Sequence, residues 1–131
     1  METNFEKVRS FLLELEYTIT KEDKAEELFV IEKEDKGITN MVVDCEEPIL
    51  IFEQFIFDVQ NESLELYKEL LIKNRDIVHG AFVLSEDGKK VLFRDTLQLE
   101  NLDLNEFQGT LNSLEMLLAE YANRLIEFSK Q

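Results

Sequence analysis

Apolar residues recur at helical steps near both ends of the chain and in short runs or alternations between them. Phe5, Val8, Phe11, Leu12 and Leu15 share one helical face, and Thr3 and Glu6 have the spacing of a capping box, which satisfies two orphan amides at a helix start. The pattern fades at Tyr17-Thr18-Ile19-Thr20, a β-branched and aromatic stretch suited to a strand or to a turn into one. Lys21 to Glu27 reads as a charged connection. Leu28-Phe29-Val30-Ile31 reads as a strand, Asp35-Lys36-Gly37 as a turn, and Thr39 to Cys45 as the returning strand, with Met41, Val43 and Cys45 on one face. Pro48 separates this strand from Ile49 to Val59, the most apolar segment of the chain.

The second half repeats the grammar. Asn61 or Ser63 can cap a helix running through Leu64, Tyr67, Leu70 and Leu71 to about Asn74, and Gly80 marks the exit. Ala81-Phe82-Val83-Leu84 and Lys90 to Leu99 flank Glu86-Asp87-Gly88, a strong hairpin signal. Asp103 and Glu106 have N-cap and N3 spacing before the clearest periodicity in the sequence: Phe107, Leu111, Leu114, Leu118, Tyr121, Leu125 and Phe128. Met116, Leu117 and Ile126 broaden that stripe, which suits a helix lying across a sheet better than a coiled-coil seam.

The order is α-β-β-β-α-β-β-α, give or take a strand, and the hairpins make the sheet largely antiparallel, so the class is α+β. At 131 residues, with no linker or repeat, one domain spanning 1–131 is expected. Ile49 to Val59 does not alternate as a strand with one wet face should. Leu50, Phe52 and Ile56 lie on one side and Ile49, Ile51, Phe55, Phe57 and Val59 on the other. Both faces want cover, from the chain's own helices, a partner subunit or a bound segment.

Charge removes several functions. Fourteen basic residues face 29 acidic ones, for a net charge of −15. Nucleic-acid phosphates require clustered Lys and Arg, and anionic membranes attract the same residues, so neither partner is expected. No apolar run reaches the roughly 20 residues of a spanning helix. The start of the chain lacks the basic and apolar regions of a secretory signal, and Cys45 has no mate for an intrachain disulfide, so a cytoplasmic location is expected.

Catalytic chemistry finds no purchase. His79 is the sole histidine, at a helix-to-strand junction that suggests a capping or half-buried role, and neither nucleophile nor orienting acid is evident beside it. Cys45 reads as a buried thiol. Zinc needs clustered Cys and His, a calcium loop needs more than Ser85-Glu86-Asp87-Gly88, and no glycine-rich phosphate loop occurs. No enzyme, metal or cofactor is expected; an enzyme with an unrecognised site is the remaining possibility.

The junction Asn74-Arg75-Asp76-Ile77-Val78-His79-Gly80-Ala81-Phe82, together with Leu92-Phe93-Arg94-Asp95-Thr96-Leu97, Asn101-Leu102-Asp103 and the long last helix, resembles the YbjN family. That family is labelled a bacterial sensory-transduction regulator or Tir chaperone, and its fold is similar to CesT/Tir-class type III secretion chaperones. The resemblance covers about Phe5 to Phe128. It implies a small acidic homodimer that holds partner proteins in a partly unfolded, extended form without ATP. An extended, basic client segment would then add to a sheet edge, with Phe5, Phe11 and Ile19 as exposed groove residues beside the first helix. Subunit contacts would involve Leu66, Tyr67 and Leu70 of the second helix and Leu92 and Arg94 of the last strand. The alternative is a regulatory adaptor in sensory transduction that binds one folded partner through a preformed patch.

Overall fold

Thr3 opens helix α1 (Asn4–Glu14) with a complete capping box: its side chain accepts from the Glu6 N–H, and Glu6 reaches back to the Thr3 backbone. Ser63 caps α2 (Leu64–Lys73) and Asp103 caps α3 (Leu104–Ser129), each accepting from the amide three residues on. The computed structural model describes Met1–Gln131. Between α1 and α2 run strands β1 (Thr18–Asp23), β2 (Leu28–Lys33), β3 (Ile38–Glu46) and β4 (Ile49–Asp58); β5 (Ala81–Leu84) and β6 (Lys90–Gln98) lie between α2 and α3.

The six strands form one antiparallel sheet in the order β1-β2-β3-β4-β6-β5. One more strand is present than the hydrophobic pattern indicated, because Lys21, Glu22 and Asp23 continue β1 instead of forming a connection. As an edge strand, β1 tolerates charge, and a register shift between Ile19 and Lys21 turns Lys21 and Asp23 toward the open side of the sheet. Glu22 faces α1, where Arg9 Nε donates to it at 2.8 Å while the Arg9 guanidinium lies over the Phe5 ring.

All three helices pack on one face. Phe5 of α1 stacks on Phe29 with centroids 4.4 Å apart, Phe107 of α3 meets Phe52, Phe128 meets Phe57, and Tyr121 meets Phe82. Leu66 and Leu70 of α2 join the same core. Tyr17, which follows α1, donates a hydrogen bond to Glu115 of α3; burial and that carboxylate raise the phenol's pKa well above its ordinary value. Glu69 of α2 takes both Tyr121 (2.5 Å) and Arg124 (2.7 Å) of α3, and Arg124 holds its carboxyl below the usual range. The last helix thus lies across the sheet, as its periodicity indicates. Its outer rim is narrower than expected: Leu117 is buried, whereas Met116 and Ile126 are exposed.

The reading of β4 needs one correction. Its pairing with β6 shifts between Phe55 and Phe57, so Ile56 is an extra residue and the strand changes faces there. Phe57 joins Leu50 and Phe52 buried on the helix face, Ile56 stays half-buried against the same core, and Phe55 remains on the other side opposite Leu92. The face under the helices also takes Gln54, which is 4% exposed and reaches the Gly37 carbonyl at 3.5 Å.

Phe107 is fully buried and its ring touches Phe11 and Phe52 at 5.4 and 5.3 Å. It ties α1 and the sheet to α3. Phe107→Ala is expected to cost about 3–5 kcal/mol, the range for a large aromatic removed from a packed core. A urea melt should show the midpoint fall with the slope unchanged.

Candidate partner-binding surfaces

Alternation along the strands leaves the second face of the sheet without a helix. Register places Val30, Val42, Glu53 and Arg94 in one cross-strand row, Leu28, Asp44, Ile51 and Thr96 in the next, and Phe55, Leu92 and Val83 toward the β5 side. The aliphatic members are only half-buried, shielded by one another and not by an overlying element, and Phe55 is exposed. Apolar positions thus recur on this face in five strands, interrupted by Asp44, Glu53, Arg94 and Thr96.

Two charged features sit within it. Glu53 and Arg94 face each other across β4 and β6 at 3.0 Å. Asp44 stands between Leu28 and Ile51, and one of its carboxylate oxygens is buried without a hydrogen-bond partner. Desolvation, and after it the neighbouring Glu46 carboxyl, pushes Asp44 up to about 6.

A second apolar surface lies at the β5 edge. Tyr67, Leu70 and Leu71 of α2 and Phe82, Leu84 and Val91 of the β5–β6 hairpin line an open cavity of about 250 Å3. Around it Leu64, Leu71, Ile72 and Val78 are more than half exposed. Helix α2 is therefore apolar on two sides: Leu66 and Leu70 point into the core, while Leu64 and Leu71, seven residues apart, point out.

The residues singled out from sequence are dispersed. Phe5 is buried (6% exposed) beneath α1 against Phe29, not at the surface, because its ring completes the core over β2. Phe11 is half-buried against Phe107, and Ile19 is half-buried on β1. Leu66 and Leu70 are buried in the chain's own core, Leu70 also reaching the inner wall of the cavity, and Tyr67 lines the cavity from its half-buried position. Leu92 and Arg94 lie on the open face, across the sheet from α2. The outward residues Leu64, Leu71, Ile72 and Val78 were missed as a group. The available signal was that Leu64 to Ile72 carries more apolar residues than a single stripe can absorb.

Nothing in this geometry resembles a reaction centre. Cys45 is buried, and desolvation with Glu27 and Asp44 nearby pushes its thiol up to about 12, which disfavours the nucleophilic thiolate. His79 is held through its backbone by Ser113, and its ring rests against Gly109. No group of three or more His, Cys, Asp or Glu side chains is placed to hold a metal ion. No helix is long and apolar enough to cross a membrane.

A single helical layer on one face of a six-stranded antiparallel sheet is an α+β fold of the kind seen in type III secretion chaperones. The chain belongs to the CesT_Tir_1 family, whose model matches residues 1–131. A search of curated protein sequences found no match. Among solved structures, it is similar to YbjN, a putative transcription regulator from E. coli (TM-score 0.67, 13% identity, 92% of each chain covered). It is also similar to a chain of the ExsC-ExsE complex (TM-score 0.65, 18% identity, 95% of this chain and 96% of that one). A third similar structure is the Yersinia pestis type III secretion chaperone SycH in complex with a stable fragment of YscM2 (TM-score 0.59, 16% identity, 97% and 100% covered).

Asp44 supplies a test of the open face. A carboxyl whose folded pKa is raised binds more protons folded than unfolded, so its contribution falls as pH rises from the ordinary Asp range of about 4 through about 6. Asp44→Asn is expected to raise stability at pH 7 by about 1 kcal/mol, the full shift being discounted because water screens this half-open site. It should also flatten the fall between pH 4 and pH 6. Urea melts across that range measure both effects.

Proposed function

We propose that the protein is a non-enzymatic, homodimeric, chaperone-like binder that holds an extended or partly unfolded segment of a partner protein without ATP. The observation that carries this reading is the apolar surface the chain leaves without cover, most exposed on the outward side of α2 at the β5 edge and continued by half-buried aliphatic side chains on the open sheet face. Membership of the CesT_Tir_1 family supports it, as do similar folds in complexes: the HopA1-SchA chaperone–effector complex (TM-score 0.62, 10% identity) and SycH with its YscM2 fragment. The segment lies as an added strand along β1, with side chains against Phe11 and Ile19, and it is basic, matched to a net charge of −15. The second copy docks on the outward side of α2, through Leu64, Leu71 and Ile72 around Tyr67. An adaptor that binds one folded partner is the second reading, favoured by the similarity to a putative transcription regulator. The location proposed is the cytoplasm.

Sedimentation at micromolar concentration is expected to show a dimer that Leu71→Glu converts to a folded monomer. Insensitivity to that substitution places the interface elsewhere. In a light-scattering assay, equimolar dimer is expected to suppress aggregation of a chemically unfolded basic protein without nucleotide. Protection should weaken as salt rises to several tenths molar, because screening shortens the reach of the surface charge to a few ångströms. Absence of protection, with tight binding only to a folded protein, favours the adaptor.

A further inference from the structure

The sheet has two outer edges, and the one at β5 is closed by a side chain. Ser85 N–H donates to the Lys90 carbonyl at 2.9 Å, so alternation directs the odd-numbered residues of β5 toward β6 and the peptide groups of Phe82 and Leu84 outward. At Phe82 both outward groups are taken by one residue. Asn74 Oδ1 accepts from the Phe82 N–H at 2.8 Å, and Asn74 Nδ2 donates to the Phe82 carbonyl at 3.2 Å. A carboxamide presents one acceptor and one donor side by side, as the edge of a neighbouring strand does, so Asn74 stands where the next strand would bond.

The surrounding chain keeps it there. Asn74 terminates α2 and begins a 3-10 turn (Asn74–Asp76). Three residues beyond that turn, Ser113 of α3 donates to the His79 carbonyl at 2.8 Å and accepts from the His79 N–H at 3.2 Å. Gly80, at φ +85°, crosses Phe93 so closely that a Cβ would lie 2.4 Å from Cζ. The segment between α2 and β5 is fixed at Asn74, His79 and Gly80, and Leu84 is the one residue of this edge with outward peptide groups left over.

We infer that Asn74 denies the β5 edge to strand addition, whether by a client segment or by a second copy of this chain. Contacts at the α2–β5 rim are then made by side chains, and the sheet does not run on through β5 into another subunit. The inference concerns this edge alone and stands whether or not the protein holds unfolded clients.

The test compares the unmodified protein with Asn74→Ala and with Asn74→Ala/Leu84→Pro. The proline removes the other outward N–H without touching a bond to β6. In Asn74→Ala the Phe82 amide is expected to exchange with solvent about tenfold faster or more, while the Val83 amide, which faces β6, stays protected. Sedimentation should show a larger, concentration-dependent species in Asn74→Ala that the double variant lacks. An Asn74→Ala protein that is folded by circular dichroism and sediments like its parent at every concentration overturns the inference, as does an added species that survives the proline. Should Asn74→Ala fail to fold, the unmodified protein decides. Its Asn74 side-chain amide protons are expected to exchange markedly more slowly than those of exposed Asn61 and Asn105, and equal rates overturn the inference.

Discussion

A six-stranded sheet has two faces, and this chain provides helices for one. Everything on the covered side follows from burying large aromatics: Phe29, Phe52, Phe93 and Phe107 are fully enclosed, and each helix sends side chains into the layer they form. Of the polar ties between elements, Tyr17 to Glu115 is buried on the Tyr17 side, whereas Glu69 to Tyr121 and Arg124 sits at the rim of that layer, where water still reaches it and it fixes orientation more than it supplies stability. On the other side the same strands expose aliphatic side chains that only their neighbours shield. The asymmetry leaves one side of the sheet packed by helices and the other without an overlying element.

Much of this was legible in the residues. The three helix starts are local chemistry, a side-chain oxygen meeting an amide three residues on, and they stand where Thr3, Ser63 and Asp103 put them. Asp87-Gly88 placed the β5–β6 hairpin, and the doubled apolar pattern of Ile49 to Val59 showed that both faces of that strand want cover without saying whether helices, a second subunit or a bound segment supplies it. Two features escaped. The bulge at Ile56 depends on which residue of β6 each residue of β4 meets, which no local pattern records. The second half of β1 escaped because an edge position lets Lys21 and Asp23 stay in a strand, whereas the same residues elsewhere mark a connection; only its start, Thr18 to Thr20, was readable as strand or turn.

The candidate surfaces were harder to read, for a related reason. A periodic stripe shows that a helix has an apolar side but not whether a second side will find cover. In α2 the inward pair, Leu66 and Leu70, and the outward pair, Leu64 and Leu71, are chemically alike; tertiary placement alone separates them. Phe5 shows the converse, a residue at the chain's start whose ring lies deep in the core. Acidity was visible at once, but its local consequence, the raised Asp44 carboxyl, needed the cross-strand neighbours Leu28 and Ile51.

The strand order also bears on how the chain assembles. From β1 to β4 each strand pairs with the next in sequence, so a four-stranded meander closes through short loops. Joining β4 to β6 spans α2 and β5, and Phe107, Leu111 and Leu114, which seal the aromatic layer, come later still. During synthesis the meander therefore emerges with α1 but before α3, and for that interval the part of its covered face that Phe107, Leu111 and Leu114 later seal is open to water and to other chains.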